Sequence, residues 1–229
     1  MVQTLDPPQT TPQTPRAACG ALCGFEAYLL IKPLLLASLV ILLAEGLRIF
    51  AGNNLHTVTA GRCYRSAQPT AALIEEMHRV HGIRSIINLR GDNPGEPWFE
   101  AEDTARKRLG IALYDAGMCS GEQVPEDDFR RFATAVKNAQ EPILIHCANG
   151  NDRTGLGSAA YLLLRTDTSI ADARRQLSLR YGHFSMGSAM CLHRVLDNYE
   201  SWLRQTGQSH SPDRFYHWGM HEYRKEVLR

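Results

Sequence analysis

The sequence predicts an α/β protein, a central sheet with helices on its faces. Three observations carry that reading. Short apolar runs, IRSIINL at 83–89, IALY at 111–114 and PILIH at 142–146, alternate with longer stretches of helical period. Gly82 and Gly110 stand where two of those helical stretches should stop. The composition, 44% hydrophobic and 21% charged, is that of a chain that folds around a core. At 229 residues there is room for one ordinary domain and an appendage.

The appendage is N-terminal. Residues 1–26 open on Gln, Thr and Pro without an apolar period and are expected to be a disordered tail. Residues 27–50 hold AYLLIKPLLLASLVILLA at 27–44, charged only at Lys32. That run approaches the roughly 20 apolar residues of a bilayer span. Its uncharged part from Pro33 to Ala44 has the length of a signal-peptide core. A membrane anchor, a cleaved signal and a buried amphipathic helix are all compatible with it. Basic residues lie on both sides, Arg16 and Lys32 before, Arg48, Arg62 and Arg65 after, so charge does not set a direction.

The folded part is expected over 56–205. His56 to Tyr64 reads as a hairpin turning at Ala60-Gly61. A helix starts at Pro69-Thr70, carries Leu73, Ile74, Met77 and Val80 on one face, and ends at Gly82. Strand 83–89 follows, then a helix over 96–109 closed by Gly110, then strand 111–114. Pro125 suits a first helical position, and that helix reaches about Ala139. Pro142 to His146 reads as a buried strand. Arg153 to Arg165 is apolar on most sides and reads as a core helix. Two more helices are expected near 169–181 and 187–205. In the tail, 206–229, Phe215, Tyr216, Trp218 and Tyr223 suggest docking on the domain.

Charge and cysteine usage exclude several classes. The net charge of +1 lacks the basic excess of a general nucleic-acid binder. Six cysteines, at 19, 23, 63, 119, 147 and 191, are too sparse for a disulfide scaffold and form no C-x2-C ladder for zinc. No metal or cofactor is expected.

The informative segment is His146-Cys147-Ala148-Asn149-Gly150-Asn151-Asp152-Arg153-Thr154-Gly155. A cysteine ends a buried strand and a helix begins about five residues later. A loop between the two can turn successive N–H groups inward as an anion nest. The helix end adds about half a positive charge. Arg153 offers a planar fork matched to two phosphate oxygens. Gly150 lets the chain curl. Cysteines in such electropositive settings favour the nucleophilic thiolate. The cup would hold a phosphate dianion against the attacking sulfur.

HCANGNDRTG resembles the signature loop of cysteine-dependent protein tyrosine and dual-specificity phosphatases. CYRSAQP at 63–69, GIRSIINLRGDNPGEPW at 82–98 and PILIHC at 142–147 resemble one bacterial branch of that family. The resemblance spans 56–205 and implies a dual-specificity-phosphatase-like central sheet flanked by helices. It implies Cys147 as nucleophile, Arg153 as phosphate clamp and Ala148, Asn149, Gly150, Asn151 and Asp152 as the amide cradle. It implies Thr154 as a hydroxyl donor to the thiolate and His146 as support from behind. It also implies an N-terminal anchor or signal and an exported catalytic domain, held at the membrane through 27–44 or released after cleavage.

The sequence departs from that family at the general acid. The usual aspartate position falls near Ser120. Three carboxylates are in reach: Asp115 at a strand end, Asp152 beside Arg153, and Glu122 on the following segment. Asp152 resembles the D-R-T of myotubularin-like phosphatases. The loop carries no lysine, which disfavours highly anionic inositol head groups and favours protein phosphotyrosine, with phosphoserine or phosphothreonine as further substrates. Arg65, Tyr64 and Arg90 are placed at the mouth. Rival readings are an inositol-phosphate or phosphoinositide phosphatase and a pseudophosphatase that binds phosphoprotein without turnover.

Overall fold

A computed structural model describes residues 31–41, 43–44, 46–47, 52–119 and 121–225. It divides into two compact units, Met1–Ala44 and Glu45–Arg229. In the first unit residues 31–41 form a helix, α1, with Leu34, Leu35 and Leu39 exposed. At about 1.5 Å per residue it is roughly 16 Å long, against about 30 Å for a bilayer core. Among the described residues no helix is long and apolar enough to cross a membrane. The tail expected at 1–26, and residues 27–30 and 42 of the apolar run, lie outside the described residues.

The second unit is built on a five-stranded sheet of order β1-β2-β5-β3-β4. The strands are β1 (His56–Thr59), β2 (Cys63–Ser66), β3 (Ser85–Asn88), β4 (Ala112–Asp115) and β5 (Ile143–His146). β1 and β2 form the expected hairpin and are antiparallel; the other pairings are parallel. Parallel strands need crossover helices. α2 (Ala71–His81) and α3 (Pro97–Leu109) carry the chain outward from β2 to β3 and β4. α4 (Glu126–Asn138) then returns it, and β5 enters between β2 and β3. The direction of winding reverses at β5, and such a reversal leaves a crevice at the carboxyl ends of the strands.

Strand side chains alternate between the two faces. Cys63, Ile87, Ile143 and Ile145 join the core that includes α4 residues Phe129 and Phe132 and α5 residues Leu156 and Ala159. Tyr64, Ile86 and Leu144 join a second core with Ile74 and Met77 of α2 and Ala105 of α3. α5 (Asp152–Arg165) is buried on nearly every side, as its composition foretold. Thr70 caps α2 by accepting from the Leu73 N–H at 3.1 Å.

Three expectations need correction. The helix expected near 169–181 is broken into α6 (Ile170–Arg174) and a 3-10 turn, Leu179–Tyr181. The carbonyl and side-chain oxygens of Gln176 both accept from Arg65 Nη1 at 2.8 Å, and Ser178 is extended. A partner 111 residues away thus overrides local helix propensity. The helix expected over 187–205 begins as a 3-10 segment, Gly187–Leu192, and becomes α7 (His193–Thr206). The domain also outruns 56–205 at both ends. The Ala67 N–H donates to the Asn53 carbonyl at 2.6 Å. At the other end, α8 (Pro212–His217) and a π-turn, Trp218–Glu222, bury Phe215 and Trp218 against Phe129, and Tyr223 Oη donates to the Val124 carbonyl at 2.6 Å.

Candidate active site

Cys147 follows β5 directly, at the point of winding reversal, and is 2% exposed. The strand ends are level there: Ser66 pairs with His146, His146 with Asn88, and Asn88 with Asp115. The loop 148–151 leads from Cys147 into the N-terminus of α5.

The loop's carbonyls are all held from outside the cup. The Ala148 carbonyl accepts from the Gln68 N–H at 3.1 Å and the Asn149 carbonyl from Asn54 Nδ2 at 3.2 Å. The Gly150 carbonyl accepts from Arg65 Nη2 at 2.8 Å. In a planar trans peptide the next N–H points the opposite way. The N–H groups of Asn149, Gly150 and Asn151 therefore turn toward the cup, and the Gly150 N–H donates to Cys147 Sγ at 3.3 Å. This is the amide nest expected of 148–152, built by donors behind it.

Gly150 has φ +72°, and a Cβ there would lie 2.5 Å from the Ala67 nitrogen and 2.7 Å from the Ser66 carbonyl carbon. Both obstacles are backbone, so neither can swing aside. Gly150→Ala is expected to lose roughly 1–3 kcal/mol of stability and to displace the nest. Urea unfolding together with tungstate binding checks this; wild-type values for both would mean that the loop tolerates a side chain.

Arg65 is the main correction at the site. It does not line the mouth: it is fully buried behind the loop. Its guanidinium bonds Gln176 and the Gly150 carbonyl and stacks 3.9 Å from the Tyr181 ring. Burial pulls its pKa down to about 10, against the opposing pull of Tyr181 and Cys147. It still carries a full charge at neutral pH, placing a fixed cation behind the nucleophile. Tyr64 is likewise not at the mouth; it packs in the second core and its hydroxyl lies 3.1 Å from His81 Nδ1. Arg90 is near the site: burial lowers its pKa, and the charges of Arg153 and Cys147 act on it. Arg90 Nη1 donates to Gln68 Oε1 at 3.0 Å, and its guanidinium lies 3.5 Å over Trp98.

Arg153, in the first turn of α5, donates from Nη1 to the Leu89 carbonyl at 3.3 Å. His146 Nε2 lies 3.1 Å from Glu102 Oε1, with both side chains fully buried. Gln68 Nε2 donates to Glu102 Oε2 at 2.6 Å, which joins this pair to Arg90. The Thr154 hydroxyl donates to the Ser66 carbonyl at 3.5 Å, a different partner from the expected thiolate.

The three acid candidates have different surroundings. Asp115 ends β4, two strands from β5, and Asn88 Nδ2 donates to its Oδ1 at 3.0 Å. Burial raises its pKa; the Asn88 bond opposes this, and Asp92 and Glu102 add to it. Glu122 is paired with Lys225 at 2.7 Å, and that hydrogen bond lowers its pKa, which makes it a poor proton donor. Asp152 Oδ1 lies 2.7 Å from Nδ1 of the buried His183.

Sequence reasoning missed Asn54, Gln68, Glu102, His183 and His193. Gln68 lies within the CYRSAQP segment, so the resemblance pointed near it. Glu102 reads as an ordinary charge on a charged helix. No linear signal marks Asn54, His183 or His193, because their partners are distant in the chain.

A cysteine at the floor of an amide nest, with an arginine in the next turn, defines a phosphate-handling cysteine site. The chain belongs to a tyrosine phosphatase family, whose model matches residues 47–169. Over 71 residues it is 38% identical to a beta-lactamase hydrolase-like protein of Xylella fastidiosa, covering 30% of this chain and 16% of that protein. Over 97 residues it is 31% identical to Inositol diphosphatase DSP1 of Oryza sativa subsp. japonica, covering 40% of this chain and 41% of the rice protein. The match thus spans less than half the length of either relative. The fold is similar to the crystal structure of P. aeruginosa TpbA, with a TM-score of 0.50 and 19% identity over 65% of this chain and 89% of that one.

Proposed function

We propose that the chain hydrolyses phosphate monoesters through a cysteinyl-phosphate on Cys147, with protein phosphotyrosine as its substrate. The observation that carries the reading is the nest over Cys147, whose carbonyls are all held from behind. The thiolate would attack phosphorus, the ester oxygen would leave with a proton, and water would then displace the sulfur. Amides 149–151 and the Arg153 fork would hold the equatorial oxygens as charge builds on them.

Two features support a protein substrate. The loop has no lysine, and Arg65 is sealed behind it. Leu179, Phe184 and Met186 are exposed and line a cavity that includes His183, the partner of Asp152. An apolar wall suits the side chains flanking a phosphotyrosine better than a head group dense with phosphates. The second reading, an inositol-phosphate phosphatase, is favoured by the identity to the rice protein. A panel of phosphotyrosine peptide, inositol hexakisphosphate and an inositol pyrophosphate separates the two. We expect kcat/KM for the peptide to exceed both others by more than tenfold, or about 1.4 kcal/mol. The reverse order would establish the inositol reading, and binding of the peptide without turnover would mean a pseudophosphatase.

A further inference from the structure

Beside the cup runs a chain of polar side chains that the nucleophilic chemistry leaves without a task. Asp152 Oδ1 lies 2.7 Å from His183 Nδ1. His183 Nε2 lies 3.0 Å from His193 Nε2, which is also 3.1 Å from Ser185 Oγ. His183 is 1% exposed. Its segment is sewn to the loop, since Asn54 Nδ2 donates to the Tyr181 carbonyl at 3.0 Å and Asn151 Nδ2 to the Gly182 carbonyl at 3.4 Å. The imidazole therefore cannot turn without breaking contacts on both sides. Burial and the nearby His183 lower the His193 pKa, so His193 is neutral at pH 7 and donates through one nitrogen. With His193 Nε2–H donating to His183 Nε2, His183 Nδ1–H is left to donate to the carboxylate.

We propose that Asp152 is the proton donor to the leaving oxygen, and that His183, backed by His193, is the positioning residue that holds its carboxyl for that task. The inference rests on the phosphatase reading given above. His183 occupies Oδ1, whereas Oδ2 has no hydrogen-bond partner among the described residues and the side chain is 29% exposed. The free oxygen belongs to the residue immediately before the phosphate fork. The competing carboxylates are less well placed. Asp115 stands two strands from β5, about 10 Å across the sheet, with Oδ1 held by Asn88. Glu122 is tied to Lys225.

The steps balance. The thiolate electron pair forms the S–P bond as the P–O ester bond breaks. The Asp152 Oδ2–H bond breaks, and its proton goes to the departing oxygen. Asp152 is left as a carboxylate, with the His183 Nδ1–H on Oδ1. It then takes a proton from the attacking water as the O–P bond forms and the S–P bond breaks, which restores both the acid and the thiolate.

The test compares phenyl phosphate, whose leaving group needs a proton, with p-nitrophenyl phosphate, whose leaving group needs it far less. Asp152→Asn is expected to lower kcat for phenyl phosphate about 10²-fold or more and for p-nitrophenyl phosphate less than about tenfold. His183→Asn should show the same selectivity at about tenfold, in kcat rather than KM. The double variant should be no worse than Asp152→Asn beyond about twofold, because both substitutions remove one function. His193→Gln should show the selectivity more weakly and serves if His183→Asn does not fold. Asp115→Asn should affect both esters alike. Equal losses for both esters in the His183 and His193 variants, or selectivity in Asp115→Asn and not in Asp152→Asn, would overturn the assignment. If the wild-type chain hydrolyses neither ester, the phosphatase reading has failed instead.

Discussion

Cys147→Ser is expected to abolish turnover, with a loss on the order of 10⁴–10⁶ in kcat, while the protein still binds tungstate. The hydroxyl is a far poorer nucleophile than the thiolate. The nest does not depend on sulfur: its carbonyls are held by Gln68, Asn54 and Arg65, and none of those bonds involves Cys147. Steady-state hydrolysis of an aryl phosphate and calorimetric titration with tungstate measure the two halves. Activity within tenfold of wild type would remove Cys147 as nucleophile. Loss of tungstate binding along with activity would mean that the sulfur shapes the nest, through its contact with the Gly150 N–H.

Arg153→Lys comes second, with an expected loss of about 10²–10³ in kcat/KM although the charge is kept. In the free protein one guanidinium nitrogen is occupied by the Leu89 carbonyl at 3.3 Å. That bond orients the planar group, leaving its remaining donors for two phosphate oxygens. An ammonium is a point donor without that fork. Arg90 does not compensate in this scheme, because its guanidinium is committed to Gln68 and Trp98. Near-normal kinetics in the lysine variant would show that charge alone suffices and that the bidentate geometry is not used.

The site divides cleanly into what is local and what is not. HCANGNDRTG is a contiguous strand–loop–helix, so its chemistry could be read from a string of residues. The same is true of the helix stop at Gly82 and of the burial of β5, each set by neighbours within a few positions. Arg65 was misplaced because sequence shows its charge and not its direction. A charge on a short strand reads as surface, but β2 lies beside β5, and the Arg65 side chain passes under the loop to Gln176 and Gly150. The same long-range demand broke the helix expected over 169–181. Glu102 looked like one more solvated charge on α3 until the packing of α3 brought it to His146.

By itself, then, the sequence determined the alternation of strands and helices, the nucleophile loop and the phosphate fork, because these depend on residues close together in the chain. Tertiary structure alone decided that β5 enters between β2 and β3 and so puts Cys147 at the point of winding reversal. It also decided which donors turn the loop carbonyls outward, and that Asp152 meets His183 while Glu122 meets Lys225. The physical reason is distance along the chain. A hydrogen bond between residues 31 or 111 positions apart leaves no periodicity or propensity in either segment, and its geometry exists only after the sheet order and helix packing bring the partners together.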